Sequence, residues 1–395
     1  MNVITPMPGP GVEVVDFDFY DIEPVGGDIQ LGWKRLHDGP DIFYTPRNGG
    51  HYVFTRAEDI YNAYRDVEHF SSDFNTLPKE VNRKLKLIPT QSDPPEHGDY
   101  RLLVASMFTP AAVRSFEARA RELTRELIER FRNRRHCEFV SQFAEQMPIA
   151  MFLLMMDLPF EDAKGLAPAV EAMCRSRDES ETLAAAQAMF DYLQARIDER
   201  RAQPGEDMIS RLVHGQLHGR PLSAHELLGL GGNLMFAGLD TVTSAMSFMM
   251  RFLALNPVER KRLVDDPAVI PMAVEELLRR YGIGNLARVV AKPFAYKGVP
   301  LRQGDMVMLP LTLYGLDERR FPDPLRVDFN REDVAHITFG VGPHRCLGSH
   351  IARMELRVML EEWLPRIPDF ELADPSTIVA KTGNLNAIKL LALRW

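Results

Sequence analysis

The sequence predicts a mainly α fold, a large helical body carrying a small β region. Three observations point that way. From about Phe116 onward apolar residues recur with helical periodicity. The interruptions are Pro/Gly breaks at Pro159, Pro204-Gly205 and Gly219-Arg220-Pro221. Strand-like runs are short and marginal: His51 to Phe54, Phe294 to Leu301 around a Gly298 turn, Met306 to Leu309, and Ala387 to Leu391. No internal repeat or Gly/Ser-rich linker marks a boundary, so residues 1–395 read as one domain.

The 395 residues are 45% hydrophobic and 26% charged, the balance of an ordinary globular protein. A formal net charge of −8 argues against a nucleic-acid partner, whose docking face would make the chain basic. No stretch reaches the roughly 18 apolar residues of a membrane span. Met1 to Val12 lacks the charged and apolar regions of a secretory signal, so the expected location is the cytoplasm. Three cysteines, Cys137, Cys174 and Cys346, are too few and too scattered for a disulfide framework or zinc cluster, and suit a reducing compartment.

The clearest helix starts at Ser223, where Ser223 and Glu226 form an S-x-x-E capping box, and is expected to run to Leu255 before Asn256-Pro257 stops it. Inside it lie Gly229, Gly231, Gly232 and Gly238. Each costs about 1 kcal/mol relative to alanine in a helix interior. Close approach of a flat ligand or a local opening of the helix would justify them, and so would tight helix–helix packing.

A second helix starts beside a cysteine. In Phe339-Gly340-Val341-Gly342-Pro343-His344-Arg345-Cys346-Leu347-Gly348 the sulfur stands between a Gly-rich loop and a run with Leu347, Ile351, Met354 and Val358 on one face. The unpaired N–H groups and positive end of a helix favour a thiolate, the form that ligates iron. Gly340 and Gly342 let the backbone fold around the sulfur, and Phe339 can shield it. A cysteine at a helix start is ordinarily a buried structural thiol; the surrounding pattern argues otherwise here.

This segment resembles the haem-ligand signature F-x-x-G-x-[HR]-x-C-x-G of the cytochrome P-450 family, matched at Phe339, Gly342, His344, Cys346 and Gly348. Two further family motifs stand in order: Glu276-Leu277-Leu278-Arg279 as E-x-x-R, and Ala237-Gly238-Leu239-Asp240-Thr241 as [AG]-G-x-[DE]-T. The resemblance runs from about Asp93 to Trp395 and is nearest the bacterial camphor hydroxylase branch. It implies the cytochrome P-450 fold, with haem b (iron protoporphyrin IX) bound through Cys346 and sandwiched between the Cys346 loop and the Asp240 helix.

The resemblance also implies roles for residues that look ordinary alone. Glu276 and Arg279, at i and i+3, share a helix face. In the family such a pair is buried with a second arginine, here expected to be Arg326 after Phe321-Pro322-Asp323-Pro324, as core architecture. Arg101, Arg288, His344 and His97 match positions that meet the haem propionates. Close relatives carry an aspartate where this chain has Leu286, which implies a simpler propionate network. Thr241 is expected to hydrogen-bond the oxygen being activated or a water beside it, and Asp240 to relay protons inward. Without the family, Asp240 and Thr241 would read as a polar helix face or local backbone bonding.

The implied activity is monooxygenation of a small apolar substrate with O2 and two electrons. No G-x-G-x-x-G fingerprint follows a strand, so a separate donor is expected: a [2Fe–2S] ferredoxin fed by a flavin reductase, meeting a monomeric enzyme. Arg101, Arg345 and Arg353 are plausible contacts for it, or ordinary solvated charges. A peroxide-driven or isomerising haem-thiolate enzyme would not need the Asp240-Thr241 pair, and a haem sensor would carry an output domain or a second axial ligand.

The pocket is expected to include Leu85, Leu87, Thr90, Asn233, Phe236, Gly238, Gly284, Leu286, Asn384 and Leu385. Anchored at Ile88-Pro89-Thr90 and Asp93-Pro94-Pro95, the tyrosine that holds camphor's ketone becomes Leu85. An unmatched buried carbonyl costs about 1–3 kcal/mol, so the expected substrate is a terpenoid or norisoprenoid bound differently. Asn233 or Asn384 would supply a polar contact, or merely cap local backbone, while Phe236 reshapes the floor and Gly284 adds room.

Overall fold

The computed structural model describes residues 8–79, 86–176 and 178–395. The chain forms two compact units. One comprises Met1–Gly98, Glu276–Cys346 and Thr382–Asn386; the other comprises Asp99–Glu275, Leu347–Lys381 and Ala387–Trp395. Principal helices in chain order are α1 (Ala57–Arg65), α2 (Glu96–Ala105), α3 (Pro110–Glu129), α4 (Gln146–Met156), α5 (Glu179–Ala202), α6 (Ala224–Leu239), α7 (Thr241–Leu255), α8 (Ile270–Arg280) and α9 (Ser349–Trp363).

The first unit holds most of the β structure. Strands β1 (Ile42–Thr45), β2 (His51–Phe54), β3 (Phe70–Ser71), β4 (Asn285–Val290) and β5 (Met306–Pro310) form one sheet in the order β1-β2-β5-β4-β3. Only β2 and β5 run parallel; the other pairs are antiparallel. The central strand β5 is buried along its whole length, as a continuous apolar run should be. Phe294–Tyr296 and Val299–Leu301 form the expected hairpin, with Lys297 at φ 47° and Gly298 at φ 85° in its turn. Strand β4 was not expected, because buried Arg288 interrupts its apolar run.

The second unit is helical. Its core is aromatic around Trp363, which meets Phe139, Phe143, Phe370 and Trp395 edge-on with ring centroids 5.3–6.3 Å apart. The Ser223–Glu226 capping box is present, with Glu226 N–H on Ser223 Oγ at 3.2 Å and Ser223 N–H on Glu226 Oε2 at 2.7 Å. Tyr100 and Arg220 also donate to Glu226, and the Arg220 guanidinium, the largest influence, helps hold that carboxyl far below the usual range.

The expected single run from Ser223 to Leu255 is two helices. Asp240, at φ −116° and ψ −27°, lies outside both α6 and α7. One glycine has a packing cause: a Cβ at Gly231 would stand 2.6 Å from Leu193 of α5, so these helices touch only because it is absent. A Cβ at Gly238 would meet Phe152 of α4 at an ordinary 3.4 Å.

Candidate haem and oxygen-activation residues

The Cys346 loop is built by hydrogen bonds between its ends. Cys346 N–H donates to Phe339 O at 2.7 Å and Arg345 N–H to Gly342 O at 3.2 Å. Gly340 and Gly342 take φ of 70° and 75°, the left-handed region where a side chain is strained, and a Cβ at Gly342 would also come within 3.1 Å of Tyr64 O. On this loop Cys346 is exposed, and Gly348 stands next to the first turn of α9. Cys137 is the opposite case, a buried thiol that desolvation pushes up and keeps protonated. The side chain of Cys174 lies outside the described residues.

The same unit holds three of the four expected propionate contacts. Arg288 projects from β4, 4% exposed, over the Tyr64 ring at 4.7 Å. Burial pulls its pKa down, and among the described residues no carboxylate lies within ion-pair distance of it. A buried cation in that state calls for an anion. The His97 and His344 rings lie 4.1 Å apart, with His97 2% exposed. Arg101 belongs to the other unit, half-buried on α2.

The expected Glu276–Arg279–Arg326 cluster needs one correction. Arg279 grips Glu276 with Nε on Oε2 at 2.7 Å and Nη2 on Oε1 at 2.8 Å, both side chains at most 1% exposed. The second arginine is Arg331, whose Nε reaches Glu276 Oε1 at 3.1 Å and Oε2 at 3.2 Å. Arg326 contributes its backbone: its carbonyl accepts from Arg279 and Arg331, while its side chain is 67% exposed beside Asp328. The turn after Pro324 points that carbonyl, not the guanidinium, into the cluster.

In the second unit Thr241 Oγ1 donates to Ala237 O at 3.1 Å across the break between α6 and α7. Asp240 is 6% exposed. Two turns earlier Asn233 is 8% exposed, and among the described residues no hydrogen bond engages its amide. Asn384 behaves differently. Its Nδ2 donates to Leu77 O at 3.0 Å and its Oδ1 accepts Leu77 N–H at 3.1 Å, so it clasps backbone.

The remaining pocket residues divide by element. Gly284 bridges to Leu385, and a Cβ there would meet Leu311 Cδ1 at 3.3 Å, so the space beside it is filled by leucine. Leu286 is half-buried on β4 opposite Leu309. Leu87 and Thr90 are half-buried, and Leu87 N–H donates to Gln91 Oε1 at 2.8 Å. Leu85 and the side chain of Phe236 lie outside the described residues. Arg353, a candidate docking contact, is held by Glu275 through two hydrogen bonds of 2.6 and 2.8 Å, whereas Arg345 is exposed.

An exposed cysteine on a glycine-hinged loop, with a buried arginine that makes no ion pair among the described residues in the same unit, fits the class of haem-thiolate proteins, in which thiolate and propionates hold the haem. Comparisons with known proteins agree. The family described as cytochrome P450 matches residues 165–266 and 266–377. The probable cytochrome P450 127A1 of Sinorhizobium fredii is 33% identical over 375 residues, covering 93% of this chain and 90% of that protein. The mycinamicin IV hydroxylase/epoxidase of Micromonospora griseorubida is 34% identical over 334 residues, 82% of this chain and 84% of that one. The crystal structures of CYP101J2 and CYP101C1 each superpose with a TM-score of 0.90 over 99% of both chains, at 35% and 36% identity.

This chain belongs to the cytochrome P450 family. It is a haem-thiolate monooxygenase whose cofactor is haem b and which works with O2 and a redox partner. No helix of the described residues is long and apolar enough to cross a membrane.

Proposed function

We propose that this enzyme hydroxylates a compact, largely apolar molecule of terpenoid or norisoprenoid class that carries one carbonyl or hydroxyl. Cys346 is the iron ligand, Arg101, Arg288, His97 and His344 receive the propionates, and Phe339, Gly342 and Gly348 shape the ligand loop. Electrons come from a [2Fe–2S] ferredoxin served by a flavin reductase, in the cytoplasm, with the chain acting as one monomeric domain. The likeness to CYP101J2 and CYP101C1 over 99% of the chain supports this branch of the family.

Haem, when bound, supplies the iron chemistry that activates oxygen. The protein supplies protons and orientation. Thr241's hydroxyl proton is committed to Ala237 O, so its oxygen presents lone pairs to a donor placed opposite it. Asp240 next to it is the residue that passes protons inward.

The observation that carries the substrate reading is Asn233: a buried side-chain amide without a hydrogen-bond partner among the described residues, on the helix that ends at Asp240. Its amide atoms are not sealed off among the fully enclosed unpaired groups, so a ligand oxygen reaching them can take up their hydrogen bonds. Asn384, clasped to Leu77, is the weaker candidate. With Leu85 at the position of camphor's tyrosine donor, camphor itself should bind poorly.

The test is a panel of terpenoids and norisoprenoids, with and without an oxygen function, read by the haem spin shift and by product formation in the reconstituted system. Oxygenated members should bind more tightly, and Asn233→Leu should erase that preference while sparing the hydrocarbons. Tight, well-coupled camphor binding unaffected by Asn233→Leu or Leu85→Tyr would defeat this reading.

A further inference from the structure

The π-helical turn Val140–Ala144 is tied to the start of α7 by one buried bond, Thr243 Oγ1 donating to Ala144 O at 3.0 Å. The next residue, Glu145, is thereby held beside a helix whose first residue follows Asp240. Lys389 Nζ stands 3.7 Å from Glu145 Oε1 and 2.6 Å from Glu171 Oε2, and Lys381 Nζ lies 3.6 Å from Glu171 Oε1. All of these residues belong to one compact unit.

Exposure changes from one end of this group to the other. Asp240 is 6% exposed. The Glu145 and Glu171 side chains are 33% and 31% exposed, and that of Lys381 is 52% exposed. No motif contains these residues, and the function derived so far uses none but Asp240.

We infer that Glu145 is the solvent-side proton donor to Asp240, and that Lys389, anchored by Glu171, sets when Glu145 is protonated. This rests on the proposed role of Asp240. When Asp240 gives its proton inward, the Glu145 carboxyl passes one to the Asp240 carboxylate through water, and Glu145 regains a proton from solvent. No electron moves in either step.

The electrostatics suit that direction. Burial is the largest influence raising Glu145, and the carboxylates of Glu138, Glu171 and Asp240 push the same way while Lys389 opposes them. A carboxyl raised in this manner keeps its proton to higher pH than a surface glutamate and is a better acid for a buried neighbour. Glu145 touches no substrate in this scheme; it is a positioning residue that acts through Asp240.

The test uses the full-length, haem-loaded protein with Glu145→Gln, Glu145→Asp, Lys389→Met and, for reference, Asp240→Asn. In the reconstituted system Glu145→Gln should slow turnover about tenfold, less than the loss of a direct general acid because water replaces part of the path. It should also raise the solvent isotope effect and leave the substrate spin shift unchanged, and Glu145→Asp should restore most of the rate. Lys389→Met removes the charge that favours the carboxylate, so the alkaline limb of the pH profile should move upward.

A readout without turnover is infrared titration of the resting protein. A carboxyl band titrating above the ordinary glutamate range should vanish in Glu145→Gln and shift in Asp240→Asn. Glu145→Gln with unchanged rate, pH profile and isotope effect, beside a slow Asp240→Asn, would overturn the relay and leave Asp240's role standing. Loss of effect in both variants would overturn the two together.

Discussion

Thr241 Oγ1 hydrogen-bonds Ala237 O at 3.1 Å, and the residue between the two helices that this bond spans is Asp240. The bond holds the side chain of a residue whose neighbour has left helical pairing, so both polar groups of the motif are placed by the break rather than by the helix. Thr241→Ala removes the hydroxyl and keeps the break. The expected outcome is reduced nicotinamide consumed at a similar rate, with product per nicotinamide falling about tenfold and hydrogen peroxide making up the balance. Thr241→Ser, which restores the oxygen, should recover coupling. Parallel assays of nicotinamide, peroxide and product decide the matter; full coupling in Thr241→Ala would show that another group positions the proton.

The buried cluster under Glu276 makes a prediction about two arginines five residues apart. Arg331→Ala leaves the Glu276 carboxylate, 1% exposed, with Arg279 and the Asp328 N–H but without its second guanidinium. Stability should fall by about 1–3 kcal/mol, the cost of losing hydrogen bonds to a buried charge that keeps its other partner. Arg326→Ala keeps the carbonyl that the cluster uses and removes an exposed side chain, so its effect should stay within about 0.5 kcal/mol. Urea unfolding of both variants is the measurement. The reverse ranking would restore Arg326 to the position its motif implied.

Glu355 on α9 is 3% exposed, and among the described residues its Oε2 has no hydrogen-bond partner. Burial pushes its carboxyl up to about 8. In the unfolded chain a glutamate titrates near about 4.3. Between those values the folded protein holds a proton that the unfolded chain has lost, so stability falls as pH rises from about 4.3 to about 8. Glu355→Gln removes this slope. At pH 8 the variant should be the more stable by an amount on the order of a few kcal/mol, with little difference near pH 4. Urea midpoints at the two pH values check it, and a variant equally destabilised at both would refute it.

The legible parts of this protein are those whose cause is local. The capping box at Ser223, the hairpin around Gly298 and the glycine-hinged loop before Cys346 each follow from a few adjacent residues, and each stands where the pattern puts it. The four glycines allow a local opening of the long helix, but nothing in Gly238-Leu239-Asp240-Thr241 fixes its position at Asp240. Arg331 was missed for a related reason. Either arginine after Phe321-Pro322 satisfies the spacing, and only the fold of the turn decides which sends in its side chain and which its carbonyl. Asn384 looked like a pocket group until its clasp on Leu77, 307 residues away in sequence, was in view. A separation of 218 residues likewise hides the pairing of Lys389 with Glu171 from any reading along the chain.

We propose Cys346 as the thiolate ligand of haem iron. The reduced carbon monoxide complex tests it most directly, because thiolate ligation gives that complex its characteristic long-wavelength absorption. The native protein should show the band, and Cys346→Ser should lose it while Cys137→Ser and Cys174→Ser keep it. A band that survives Cys346→Ser and disappears with either of the other two substitutions would contradict the assignment.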